Sequence, residues 1–183
     1  MSTYISGGCK NGKSGWAQRI AKARAEREDT PLPLYYVATM IPTDGEDRAR
    51  VLRHRQEREG WGFVTLEQGR DVLRALDVAD PRGVFLLDSV TALLANEMFP
   101  GAGEIRWDAG SRVADALMAF ARRAPNTVFV SDYIFSDALL YDETTEAYRR
   151  ALAHVDRRMA QCCDNVLEVV CGQAVARKGV LPL

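Results

Sequence analysis

Apolar positions along the chain follow two patterns that alternate from end to end. Compact apolar runs of strand length stand at "LYYVAT" (residues 34–39), "GVFLLDS" (83–89), "NTVFVSD" (126–132) and "NVLEVVCG" (165–172), with a shorter β-prone run "TYIS" at residues 3–6. Runs that stay apolar without alternating predict strands buried on both faces, as in a parallel sheet. Between them, apolar residues recur every three or four positions. Trp16, Ile20 and Ala23 mark a helix from Lys13 to about Arg27, and "TPLP" (30–33) breaks it. A strongly charged helix is predicted over about residues 45–59, after the turn residues "PTDG", and an apolar one over 91–99. Val113, Ala116, Leu117 and Phe120 share one stripe of a helix over 109–124, and Asp142 is placed to cap a long helix over 142–163. Residues 100–105 read as a loop, and "VARKGVLPL" at the end shows no clear pattern. Strands alternating with helices predict an α/β fold with a mostly parallel central sheet flanked by helices, in one domain over residues 1–183.

Composition changes this picture little. Of 183 residues, 47% are hydrophobic and 27% charged, an ordinary globular balance, and the formal net charge is −1. Such a charge does not suggest a nucleic-acid partner. Arg48, Arg50, Arg53, Arg55 and Arg58 alternate with Glu46, Asp47, Glu57 and Glu59, the pattern of a solvated helix face. No apolar run approaches the ~20 residues of a membrane span. Lys10 and Lys13 interrupt any signal peptide, so a cytoplasmic protein is expected. None of the four cysteines forms a C-x-x-C pair, which argues against a zinc site or a disulfide framework. Cys9 reads as a small filler at a variable loop position, and His154 as an ordinary helix residue without a second metal ligand nearby.

The chemistry is concentrated at three places. Residues Gly7, Gly8, Cys9, Lys10, Asn11, Gly12, Lys13 and Ser14 spell G-x-x-x-x-G-K-S between a β-run and an amphipathic helix. This is the context of a P-loop. Glycines allow the backbone conformations that turn successive N–H groups toward phosphate oxygens, and the helix dipole adds positive potential. Lys13 is placed to reach the β- and γ-phosphates, and the Ser14 hydroxyl to ligate Mg2+. Asp88 ends a buried strand, where P-loop proteins carry an acid that helps hold the metal; helix capping near Thr91 is the alternative. His54 lies on the charged helix, with Arg50 and Arg58 one turn away on either side. A nucleophilic histidine among phosphate-attracting arginines suits a phosphoramidate intermediate, though spacing alone favours a surface histidine on a charged helix.

"GGCKNGKS", "YVATM", "RVLRHRQER" with an aromatic and Glu67 beyond, and "LLDSVTALLANEMF" follow one another in this order. Together they resemble the adenosylcobinamide kinase / adenosylcobinamide-phosphate guanylyltransferase family of cobalamin biosynthesis, well over residues 3–99 and weakly beyond. The resemblance implies a recombinase-like P-loop fold, a trimer, and a bifunctional enzyme. Such an enzyme phosphorylates adenosylcobinamide with a nucleoside triphosphate, GTP or ATP. It then transfers GMP from GTP to the resulting phosphate through a guanylated histidine. It implies that His54 is that histidine, that Gly7 to Ser14 bind nucleotide phosphates, and that Ala38, Thr39 and Met40 line the nucleotide site. Arg55, Gln56, Glu57 and Arg58 would flank the histidine, and Glu67 and Asp88 would contact nucleotide or metal. Either Trp61 or Phe63 matches the family tryptophan.

The chain departs from the family beyond residue 131. "SDYIFSDALLYDET" stands where an Asn-Glu-Val-Gly segment is expected, and Ala153, Asp156 and Arg157 replace a glycine and an Asn-Gln pair. The P-loop and Asp88 would also serve a small-molecule kinase without guanylyl transfer, or a nucleotide-binding regulatory module.

Overall fold

The computed structural model of the chain describes residues 1–27, 31–101, 103–135 and 137–182, without the side chains of Arg50 and Glu57. Thr30, at the predicted helix break, lies outside the described residues. The strands are β1 (Thr3–Gly7), β2 (Leu34–Ala38), β3 (Val64–Glu67), β4 (Val84–Asp88), β5 (Thr127–Asp132), β6 (Asn165–Val170) and β7 (Gln173–Lys178). The helices are α1 (Lys13–Ala25), α2 (Gly45–Glu57), α3 (Val90–Met98), α4 (Ala109–Arg123) and α5 (Glu143–Cys162), with a 3-10 turn at Val72–Asp77. One seven-stranded sheet runs in the order β3-β2-β4-β5-β1-β6-β7. Its first six strands in this order are mutually parallel, and β7 closes it antiparallel to β6.

The continuous apolar runs are explained by cover on both faces. Ile5, Tyr36, Val84, Leu86, Val128 and Val130 pack on one side against Ala17, Ile20 and Ala21 of α1. Tyr4, Val37, Phe85, Leu87 and Phe129 pack on the other side against α3, α4 and α5. Successive strand residues thus alternate between two cores, and neither face of the central strands is polar. The α4 stripe is buried as predicted at Val113, Leu117 and Phe120. On α1 the buried stripe runs through Ala17, Ile20, Ala21 and Arg24, displaced from the predicted Trp16 and Ala23. Trp16 turns aside because its indole N–H donates to the Gly172 carbonyl at 2.8 Å and its ring lies under the Arg19 guanidinium.

Two elements were absent from the sequence pattern. β3 is a four-residue edge strand whose residues are mostly exposed, so it carries no apolar run. β7 occupies the unpatterned tail for the same reason, being exposed along nearly its whole length. Asp142 caps α5 as expected, accepting from the Thr144 and Thr145 amides at 3.0 Å each. The cap of α3 is Ser89, which accepts from the Ala92 amide, and this leaves Asp88 for other contacts.

One carboxylate of α5 reaches into this core. The Asp156 carboxylate on α5 points between β1 and β5, where Oδ1 accepts from the Tyr4 hydroxyl at 2.5 Å and from Ser131 Oγ at 2.9 Å. Its Oδ2 is buried without a hydrogen-bond partner among the described residues. Burial raises its pKa from the ordinary 3.8 to about 6, against the two hydrogen bonds. A carboxyl whose pKa is higher in the folded than in the unfolded chain binds its proton more tightly when folded. Its contribution is full below about pH 4 and is lost as pH rises through about 6. Asp156→Asn is therefore expected to raise the unfolding free energy at pH 8 by about 1–3 kcal/mol and to flatten its fall between pH 4 and 7. Urea unfolding at pH 5 and pH 8 checks this. Equal pH dependence in both proteins would show that Asp156 does not carry it.

Candidate functional site

The parallel register brings strand ends carrying polar residues to one edge of the sheet. Ala38 stands opposite Glu67 on one side and Asp88 on the other, and Gly7 stands opposite Asp132. Clefts of open α/β sheets form at this carboxyl edge, where the connections diverge. Here the order β4-β5-β1 sets a third strand between the glycine-loop strand and the Asp88 strand.

The glycine loop is moored on its other flank by β6 and the turn after it. A Cβ on Gly7 would meet the Val169 carbonyl oxygen at 2.5 Å, so only glycine fits there. Asn11 Nδ2 donates to the same carbonyl at 3.4 Å. Lys10 and Gly12 take left-handed conformations, with φ of 56° and 87°, which bend the chain into the first turn of α1. Lys13 opens that helix with only 5% exposure, and its Nζ lies 2.6 Å from Asp132 Oδ1 and 2.6 Å from the Gly8 carbonyl. The ammonium is thus held across the mouth of the loop by one carboxylate and one carbonyl dipole.

Asp88 Oδ2 accepts from Ser14 Oγ at 3.0 Å and from the Tyr36 hydroxyl at 3.1 Å. Burial pushes its pKa up. The Ser14 hydrogen bond, the nearby His54 and the Tyr36 hydrogen bond oppose that shift, and the Asp132 charge adds to it. A hydroxyl in contact with a carboxylate is a hard-oxygen donor set, so Ser14 and Asp88 would fit Mg2+. No cluster of three or more His, Cys, Asp or Glu that could hold a metal ion exists among the described residues.

The charged helix α2 forms the far wall. Asp44 caps it by accepting from the Asp47 amide at 2.8 Å, and Arg55 pairs with Glu67 of β3. A cleft of about 970 Å³ lies between this helix and the strand ends. Cys9, Lys10, Lys13, Ser14, Ala38, Met40, His54, Arg55, Arg58, Glu67 and Asp88 all line it. Residues some forty positions apart in sequence, His54 and the glycine loop, therefore share one cavity. Arg48, Arg53 and Arg55 are exposed, as a solvated face requires. Arg58 departs from that expectation: it is 6% exposed, with its guanidinium carbon 3.4 Å from the centre of the Tyr36 ring. Phe63 meets the same ring edge-on at 6.0 Å, whereas Trp61 lies beside Lys22 of α1.

Other expected residues take different places. Thr39 is fully buried and clips two strand ends together, its Oγ1 donating to the Ser89 carbonyl and accepting from the Ser89 amide, both at 2.7 Å. Its side chain is committed to the scaffold, and Ala38 and Met40 on either side face the cleft. Gln56 borders a second, smaller pocket beside Arg55, Arg58 and Phe63. The Glu57 side chain, and that of Arg50 beside His54, lie outside the described residues. Asp132 and Tyr36 were not singled out in the sequence. Asp132 ends a buried strand in the same way as Asp88, and that signal could have found it. Tyr36 reads as one more apolar strand residue, and only its hydroxyl's partner marks it.

No helix among the described residues is long and apolar enough to cross a membrane. The family model for cobinamide kinase / cobinamide phosphate guanyltransferase matches residues 3–176, well past the point where the motifs fade by eye. A curated relative, the bifunctional adenosylcobalamin biosynthesis protein CobU of Escherichia coli K12, is 28% identical over 97% of this chain and 100% of its own length. Among solved structures, one from Pyrococcus horikoshii OT3 superposes with a TM-score of 0.50 at 7% identity, over 98% of this chain and 86% of its own, a likeness of fold alone. The P4 protein of bacteriophage phi6 in complex with ADP reaches a TM-score of 0.45 at 15% identity, over 94% of this chain and 52% of its own. With a family match over nearly the whole chain, this protein belongs to the cobinamide kinase / cobinamide phosphate guanyltransferase family.

Proposed function

We propose that the protein carries out both family reactions in the one cleft: phosphorylation of the adenosylcobinamide hydroxyl, and GMP transfer from GTP to the resulting phosphate through His54. The observation that carries this is the shared cavity, with His54, Lys13, Ser14 and Asp88 all on its walls. A cleft with a nucleophile on one wall and a phosphate loop on the other suits attack on a bound triphosphate.

For the kinase step, the acceptor oxygen attacks the γ-phosphorus and a nucleoside diphosphate leaves. Asp132 takes the hydroxyl proton, and Lys13 exchanges its carboxylate partner for the phosphates, whose charge it offsets. For the transfer step, an imidazole nitrogen of His54 attacks the α-phosphorus of GTP and pyrophosphate leaves. An oxygen of cobinamide phosphate then attacks the same phosphorus, which frees the histidine. Bound between Ser14, Asp88 and the phosphates, Mg2+ would neutralise charge on the leaving group. Arg48 and Arg53 bring positive charge to the α2 wall for anionic substrates, with Arg55 already paired to Glu67. A cytoplasmic location and a homo-oligomer, a trimer as in the family, complete the proposal.

GTP labelled at the α-phosphate is expected to leave acid-labile label on the protein, absent from His54→Ala. Equal labelling of that variant would place the covalent step elsewhere. Asp132→Asn is expected to slow phosphorylation of adenosylcobinamide by about 100-fold or more while His54 still accepts label. Product analysis by chromatography alongside the labelling assay separates the two. Unchanged kinase turnover would remove Asp132 from the proton transfer.

A further inference from the structure

We infer that Tyr36 is a positioning residue for the metal-binding carboxylate, and that the Arg58 guanidinium stacked on its ring ties this function to the helix that bears His54. The inference rests on the nucleotide site proposed above, with Ser14 and Asp88 meeting Mg2+ and the triphosphate.

Asp88 Oδ2 has two hydroxyl donors, Ser14 at 3.0 Å and Tyr36 at 3.1 Å. They differ in what happens when nucleotide arrives. The serine of a P-loop gives its oxygen to the metal. Its hydrogen bond to the carboxylate is then weakened or redirected. Tyr36 lies outside the phosphate loop. Its hydroxyl comes from the neighbouring strand β2, two residues before the position that pairs with Asp88, and its ring is 5% exposed. It stays a donor to the carboxylate whether or not metal is present. A carboxylate fixed by a hydrogen bond meets a metal without losing rotamer freedom on binding, which is how outer partners tune metal affinity.

Neighbours also hold the tyrosine itself. β2 fixes its backbone between β3 and β4. Phe63 packs edge-on at 6.0 Å with an interplanar angle of 84°. The Arg58 guanidinium carbon lies 3.4 Å from the ring centre on the face, and Arg58 Nη1 is buried with no hydrogen-bond partner among the described residues. The aromatic face is thus a main support of a buried cation. A positive charge over the ring also draws electron density from the phenol, which strengthens the hydroxyl as a donor toward a carboxylate. Arg58 is the residue that ends α2, one turn beyond His54. Asp88, Tyr36 and Arg58 therefore form one continuous path from the metal acid to the histidine helix. Among the described arginines of α2 and its cap, Arg58 is buried against this ring while Arg48, Arg53 and Arg55 stay in water.

The test is calorimetric binding of GTP to the full chain, with Mg2+ and again with EDTA, for the wild type, Tyr36→Phe and Arg58→Met. Phe keeps the ring and its stacking, and Met keeps most of the buried volume without charge. Tyr36→Phe is expected to lose about tenfold of affinity in Mg2+, as for one charge-assisted hydrogen bond, and to bind as the wild type does in EDTA. Arg58→Met is expected to shift the same way by a smaller factor. Full Mg2+ dependence in Tyr36→Phe would overturn the inference. So would equal losses with and without metal, because they mark a general structural role. If wild-type GTP binding were itself indifferent to Mg2+, the nucleotide site proposed above would fall, and the inference with it. Thermal unfolding of each variant, expected within a few degrees of the wild type, shows that the comparison is made on folded protein.

Discussion

Six parallel strands covered by helices on both sides can carry almost no charge along their length. The central strands are apolar along most of their length, and in this protein the strand ends with chemistry are the carboxyl ends. Gly7, Ala38, Glu67, Asp88 and Asp132 close β1, β2, β3, β4 and β5; register sets Glu67, Ala38 and Asp88 side by side, and Gly7 beside Asp132, two residues beyond the partner of Asp88. The helices that cover the sheet must each begin near that edge. The glycine loop is one such beginning. The cleft is thus a consequence of the cover, with no separate scaffold of its own.

Within that edge, charge is matched locally. Lys13 is nearly buried and is balanced by Asp132 and the Gly8 carbonyl. Asp88 is fixed by two hydroxyls, with His54 close enough for its field to oppose the effect of burial. Arg58 rests on an aromatic face. Each of these pairings is one that phosphates or a metal could enter by exchange, since an anion can take the place of Asp132 at Lys13 and a cation can take the serine from Asp88. Exchange of this kind keeps buried charges compensated throughout a reaction cycle, which matters because an uncompensated one is costly.

Asp156 is a different case. It sits behind the cleft, hydrogen-bonded to Ser131, and Ser131 immediately precedes Asp132. The Asp132 amide is held in turn by Thr91 Oγ1 at 2.9 Å, and the Tyr148 hydroxyl donates to the Thr91 carbonyl at 2.8 Å. Asp132 and Asp156 thus meet in one packed region of α3, β5 and α5. Asp132 is on the cleft wall and Asp156 behind it, so the two carboxylates are linked through Ser131 and the backbone of β5.

Much of this was legible in the chain alone. The buried strands, the amphipathic helices, the glycine loop and Asp88 each announce themselves through local chemistry: continuous apolarity, a period of three to four, glycines before a lysine. The edge strands β3 and β7 did not, because exposure removes the apolar pattern that marks a strand. Nor could any local rule say that Arg58 is buried, that Thr39 turns into the scaffold, or that Tyr36 points its hydroxyl at Asp88. Those outcomes depend on which strands become neighbours and in what register, a choice made by long-range packing. The sequence by itself determined that a phosphate loop, a strand-end acid and a histidine among arginines exist. Only the tertiary structure, by aligning strand ends and laying α2 across them, decided that they face one cavity.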